Sequence, residues 1–331
     1  TSGAVAQEQP PWQALPTVAP APADNPTTPA KVELGKMLFF DPRFSSTGTV
    51  SCFTCHNVME GGDDHRPTSV GVHGQKGGRN APTVWNAALL SALFWDGRAA
   101  TLEDQAKGPP VNPVEMGMEN QRAVIDRIHA IPGYRPYFEK AFGAGDVVTM
   151  DNAARAIAAY ERTLLTSNSP YDRYVKGEKS ALTERQVRGM KTFVAVGCMT
   201  CHKGPLFAGA ALPPGPGNFV RFPSFPQNPY VVLYDLMKDT GRFAVTHNPA
   251  DVSVWRVPGL RNLAYTAPYM HNGSVNTLPD VVRVMTAGQI GHNLADNEVD
   301  DIVAFLTSLT GEFPQQTMPR LPPTPGDLMG P

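Results

Sequence analysis

The 331 residues carry 28 basic and 30 acidic side chains for a net charge of -2, so the chain has room for two cores and lacks the cationic excess that nucleic acid or an anionic membrane would select. No apolar run approaches the roughly 18 residues of a membrane span, and "TSGAVAQEQPPWQ" has neither the basic start nor the apolar stretch of a signal peptide, so an exported protein would have this as its mature form. The four cysteines all fall in two places, "SCFTCHN" and "GCMTCHKG".

In chain order, residues 1–24 are rich in Pro, Ala and Thr and predict an extended tail. "KVELGKMLFF" predicts a helix leading into the first cysteine motif, and "NQRAVIDRIHAI" and "DNAARAIAAYERTLL" at 151–165 carry helical periodicity after it. A polar, turn-rich stretch at 164–183 places a domain boundary near 166. The second half repeats the plan: "TERQVRGMKTFVAVG" starts on a capping box of Thr183 and Gln186 and leads into the second motif. Later, "DNEVDDIVAFLTSLTG" puts Val299, Ile302, Val303, Leu306 and Leu309 on one face, with Asp296 as N-cap and Gly311 beyond the last turn. Residues 314–331 are again proline-heavy. β-patterning is sparse, so the expected class is all-α, with one small helical domain per motif at 25–165 and 166–313 and extended tails outside them.

Cys-x-x-Cys-His admits three readings. A zinc site would draw the two cysteine pairs together, although they lie in opposite halves of the chain, and would leave both histidines unexplained. A redox dithiol wants a βαβ context, and disulfides are not needed by a chain of this size. A c-type haem accounts for all three residues: two thioether bonds fix the porphyrin edge, and the adjacent imidazole faces the iron. Cys52, Cys55 and His56 would hold one haem and Cys198, Cys201 and His202 the other. The second axial ligand separates an electron carrier from a haem that binds peroxide. Its candidates are His65, His73, His129, His247, His271, His292, Met237, Met270 and Met285, and periodicity does not choose among them.

The chain resembles the bacterial di-haem cytochrome c peroxidases through "VSCFTCHN", "PTSVGVHGQKGGRNAPTVWNA", "FWDGRAATLEDQAKGP", "NPVEM", "GCMTCHKG", "DTGRFAVT", "LRNLAYTAPYMHNG" and "DDIVAFL". The resemblance implies two cytochrome c-like domains, a homodimer, an inter-domain calcium ion, the periplasm as location, and reduction of hydrogen peroxide with electrons from a small cytochrome c or copper protein. It makes His73 the detachable second ligand of the first haem and Met285 that of the second, with His65 and Met270 as the rivals. Relatives commonly carry the detachable histidine directly after "SVG", where this chain has Val72 and then His73. Glu115 resembles the family's acid-base, Gln105 its polar companion, and Trp95 the aromatic between the haems; Asn80, through its side chain, and Thr266 and Pro268, through their carbonyls, would bind calcium. The ordinary alternatives are a solvated loop for His73 and Glu115 and a core position for Met285 and Trp95. Two other functions compete: a di-haem electron carrier with no substrate, and the related enzymes that oxidise tryptophans of a partner protein, which have tyrosine at the methionine position.

Overall fold

Thr28 accepts the Lys31 amide and Pro29 presets the first turn, so the first long helix begins where a donor would otherwise be orphaned. The computed structural model describes residues 12–209, 217–324 and 326; residues 1–11, 325 and 327–331 of the two expected tails lie outside the described residues. The helices are α1 Pro29–Phe40, α2 Cys52–Cys55, α3 Leu102–Ala106, α4 Gln121–His129, α5 Arg135–Phe142, α6 Met150–Glu161, α7 Pro170–Val175, α8 Glu184–Ala195, α9 Pro229–Leu233, α10 Phe243–Thr246, α11 Leu278–Met285 and α12 Asp296–Thr307. The strands β1 Phe219–Arg221 and β2 Val254–Arg256 pair antiparallel with Val220 opposite Trp255. The molecule is thus predominantly helical.

The capping box at Thr183 and Gln186 forms, with Thr183 N–H donating to Gln186 Oε1 at 2.9 Å. At α12 the cap is Ala295, not Asp296. Glu298 accepts the Ala295 amide at 2.9 Å, which frees the Asp296 carboxylate to pair with Arg283 at 2.7 Å. The helix expected at 151–165 ends at Glu161, because the Thr163 amide bonds back to Tyr160 O at 2.9 Å and tightens the last turn.

Two helix crossings organise the halves, and each depends on one glycine. A Cβ on Gly35 of α1 would lie 1.8 Å from Ala156 O of α6, and one on Gly189 of α8 would lie 1.8 Å from Asp301 O of α12. Around the first crossing pack Leu34, Phe39, Ile128, Tyr134, Phe138 and Tyr160. Around the second pack Tyr171, Phe193, Phe207, Val299, Phe305 and Leu309. Gly311, expected as a helix stop, instead lets the chain pass Thr166, whose carbonyl oxygen would lie 1.7 Å from a Cβ there. Thr166 itself is fully buried. The Asn86 and Asn262 side-chain amides each donate to its hydroxyl at 2.8 Å, and both asparagines adopt the left-handed region that such turns require.

The terminal segments cross over. Trp12 packs edge-on against Tyr171 and Phe305, and the Leu15 amide donates to buried Asp172, so the N-terminal strap closes the second core. Phe313 and Leu321 pack on the first core, and Arg43 reaches Pro322 O at 2.9 Å. Gly35→Ala and Gly189→Ala should each cost about 1–3 kcal/mol or more, because a methyl group must push backbone apart. Denaturant midpoints of the two variants measure this.

Candidate functional site

Helix α2 consists of the first cysteine pair and the two residues between them, and His56 ends it, its amide donating to Cys52 O at 2.9 Å. The His56 Nδ1 lies 3.3 Å from Gly62 O. The second anchor is a short 3-10 turn, Cys198–Thr200, led by Gly197 at φ 95°. His202 is buried, with Nδ1 at 2.8 Å from Phe207 O. A carbonyl oxygen only accepts, so in both imidazoles Nδ1 carries the proton and Nε2 keeps its lone pair for a metal. Burial lowers the pKa of both rings, which favours the neutral, ligating form. All four cysteines are free of disulfides, and among the described residues no group of three or more His, Cys, Asp or Glu converges to hold a bare metal ion. The zinc and disulfide readings therefore find no geometry to support them.

Beside the second anchor lies a mainly apolar cavity of about 270 Å³. Cys198, Cys201 and His202 line it, as do two of the three methionine candidates, Met285 and Met270, whereas Met237 is exposed and does not. Met285 ends α11 where the chain passes into a π-turn, Thr286–Ile290, a local widening that often marks functional positions. The donor set suits a thioether-anchored haem: two thiols, one imidazole with a free Nε2, and soft thioethers in the same cavity. Trp95 lines this cavity too, its indole N–H donating to Asn80 O at 2.9 Å.

The surroundings of the first anchor are more polar. Glu115 stands on a turn built by Asn112, whose Oδ1 accepts the Val114 amide at 3.0 Å and whose amide nitrogen donates to Glu115 Oε1 at 2.8 Å. Burial raises the pKa of the Cys52 and Cys55 thiols, and nearby acids, Glu115 among them, push the same way. Burial lifts this carboxyl above the ordinary glutamate range, while Arg98 and the Asn112 bond pull the other way. Gln105 lies half-buried on α3, one short 3-10 turn before this loop. Glu115 O accepts the Val72 amide at 2.9 Å, which joins the acid's backbone to the turn carrying His73. On that turn Val72 is buried, whereas His73 is exposed at φ 57°. The rival His65 has both nitrogens committed, Nε2 to Glu60 at 2.8 Å and Nδ1 to Ala267 O at 3.3 Å.

Asn80, Thr266 and Pro268 line one wall of the same cavity. Asn80 donates from Nδ2 to Arg66 O at 2.9 Å, and among the described residues no hydrogen bond ends on its Oδ1 or on the Thr266 and Pro268 carbonyls. Three uncommitted neutral oxygens of this kind fit a hard cation completed by water. The sequence reading missed Asp63, a buried carboxylate 3.7 Å from His65 whose pKa burial raises to about 6. It also missed Arg79, Asp239 and Trp255, and ranked His271 no higher than other histidines; that ring stacks on Trp255 at 4.1 Å, and burial takes its pKa down to about 4.

Residues 29–180 match the family described as Di-haem cytochrome c peroxidase. The chain is 48% identical to the cytochrome c551 peroxidase of Pseudomonas aeruginosa, covering 90% of this chain and 84% of that protein. It is 41% identical to the cytochrome c551 peroxidase of Nitrosomonas europaea, covering 94% and 89%. A solved MauG-like protein associated with microbial copper homeostasis superposes with a TM-score of 0.78 at 30% identity, covering 90% of this chain and 94% of that one. The Asn112 bond gives a direct test of the local electrostatics. In Asn112→Ala the Glu115 carboxyl should titrate at higher pH than in the unmodified protein, because a donor that favours the charged form is gone; pH-dependent infrared difference spectra of the carboxyl band measure it.

Proposed function

The chain belongs to the di-haem cytochrome c peroxidases, and from that premise we propose that it reduces hydrogen peroxide to water beside Glu115, with electrons entering through the half that holds His202. When bound, the two haems supply the redox chemistry. Cys52, Cys55 and His56 would hold the peroxide-reacting one, and Cys198, Cys201 and His202, with Met285, the electron-accepting one. The observation that carries this division is the placement of acid. Among the described residues lining the cavity of the second anchor there is no Asp or Glu, whereas Glu115 O accepts the amide of Val72 on the turn that follows the first anchor.

Two electrons and two protons convert one peroxide into two waters. Glu115, as carboxylate, takes the proton from the near oxygen and returns it to the leaving one, and Asn112 keeps its Oε1 in place. Gln105 is the polar companion that orients peroxide. Because the carboxyl pKa is raised, the ionised base is lost as pH falls through that raised value, earlier than for an exposed glutamate. His73 would be the detachable ligand of the first haem, closing the site in one arrangement of its turn and opening it in the other, with reduction of the second half as the trigger. The commitment of His65 to Glu60 and Ala267 supports His73 in this role. A methionine ligand, rather than tyrosine, favours peroxide reduction over oxidation of a partner's tryptophans, and Met285, at the α11 end, is preferred to Met270.

The same reading takes residues 25–165 and 166–313 as two cytochrome c-like domains, with Trp95 between their haems. Calcium would sit between them on Asn80, Thr266 and Pro268. The donor is a small cytochrome c or copper protein, the enzyme a homodimer, and its compartment the periplasm, where c-type haems are attached. No helix among the described residues is long and apolar enough to cross a membrane.

Glu115→Gln should retain both haems and lose about two to four orders of magnitude in peroxide turnover; undiminished turnover removes Glu115 from the mechanism. His73→Gly should turn the oxidised first haem from low to high spin in absorption and EPR spectra. An unchanged low-spin spectrum would show that His73 is not the ligand.

A further inference from the structure

The glycine-rich turn that carries His73 ends at Gly78, and the next side chain leaves its own half of the molecule. Arg79 forms a two-point pair with Asp239, Nε to Oδ2 at 2.7 Å and NH2 to Oδ1 at 2.9 Å, and NH2 also reaches Gly241 O at 3.2 Å. Its remaining arm, NH1, donates to Asp96 Oδ2 at 2.5 Å. Asp96 is buried and is shared with Arg98, whose NH1 lies 2.8 Å away. The guanidinium plane rests 5.1 Å from the Trp255 ring, and Trp255 stacks on His271. Both of those rings line the cavity of the second anchor.

Asp239 is set for this contact by its own turn, its Oδ1 also accepting the Gly241 amide at 2.8 Å. Gly241 runs beside Val254 of β2, so the acceptor is carried on the framework that carries Trp255. Arg79 is less than one-fifth exposed and Asp239 one-quarter exposed, so the pair is only partly screened by water.

We propose that Arg79 is a positioning residue for peroxide reduction, whose clasp on Asp239 pins the end of the His73 turn to the second half of the molecule and holds that turn in its open arrangement. The direction follows from one coincidence: the structure with the clasp fully made is also the one in which His73 is exposed and Val72 buried. The clasp grips the chain just after the turn's last glycine, at Arg79, six residues from His73, and the same guanidinium lies over the Trp255 ring beside the electron-accepting site. It therefore connects the place where electrons arrive to the ligand that must let go. This rests on the reading of His73 as a detachable ligand.

The test uses the holoenzyme with both haems, poised at half-reduction. Asp239→Asn keeps the shape of the acceptor and removes its charge; Arg79→Lys keeps a cation and loses the planar fork. Each should lower the ratio of high-spin to low-spin first haem by about tenfold, in the range usual for coupling between sites. Peroxide turnover should fall in step, with KM for peroxide little changed. In the background of His73→Gly, Asp239→Asn should have no effect on spin state, because no imidazole remains to return. If His73→Gly alone leaves the oxidised spectrum unaltered, the ligand reading fails. If His73→Gly behaves as expected but both clasp variants keep the unmodified spin ratio, or if the effect of Asp239→Asn survives the loss of His73, the clasp proposal is overturned.

Discussion

An imidazole offers two nitrogens, and a haem protein must decide which one meets iron. Here a backbone carbonyl decides it twice, Gly62 O for His56 and Phe207 O for His202. Those carbonyls have to be brought back onto the ring within six residues of the histidine, and the demand reaches into the fold. Gly62 sits at φ 82°, where a Cβ would meet the Trp85 ring at 2.6 Å. Phe207 accepts a φ of 56° and is anchored for it by full burial against Tyr171, Phe193 and Phe305. The two proximal bonds are thus held by the aromatic cores that the glycine crossings at Gly35 and Gly189 make possible.

On this repeated frame the halves differ in what surrounds the anchor. The cavity beside the second anchor is mainly apolar and holds the thioethers of Met270 and Met285. At the first, burial raises the pKa of a glutamate, and Arg98 and the Asn112 bond draw it back toward the ionised form. Neither half closes by itself: Trp12 packs on the core of the second, and Phe313 and Leu321 on that of the first. This exchange of straps makes the relative placement of the two sites part of folding rather than of later docking.

Much of this was legible in the sequence, and the reason is locality. The Cys-x-x-Cys-His signature, the Thr183 capping box and the apolar face of α12 are all set by residues within a few positions of one another. The Asn112 turn is equally local, but Asn-Pro-Val-Glu reads as any polar loop until its side chain is seen on Glu115. What escaped entirely was long-range. Arg79 and Asp239 are separated by 160 positions, and nothing in "GGRN" or "KDTG" marks them as partners. The domain boundary near 166 reads from composition as a polar linker, yet Thr166 is fully buried because two distant asparagines converge on it. Asp296 was misplaced as a cap because sequence alone does not show that Glu298 already serves the amide at 295.

The turn after "SVG" shows how one backbone contact can join two functions. Val72 gives its amide to Glu115 O and tucks its side chain against Gly117, where a Cβ would lie 2.7 Å from Val72 Cγ2. Val72 faces in and the next side chain, His73, is exposed. The Val72 bond thereby ties the backbone of the turn that carries His73 to the backbone of Glu115. One residue of offset in the histidine, which at the level of sequence looks like a slip from the family pattern, leaves Val72 rather than a histidine at the position whose amide holds Glu115 O.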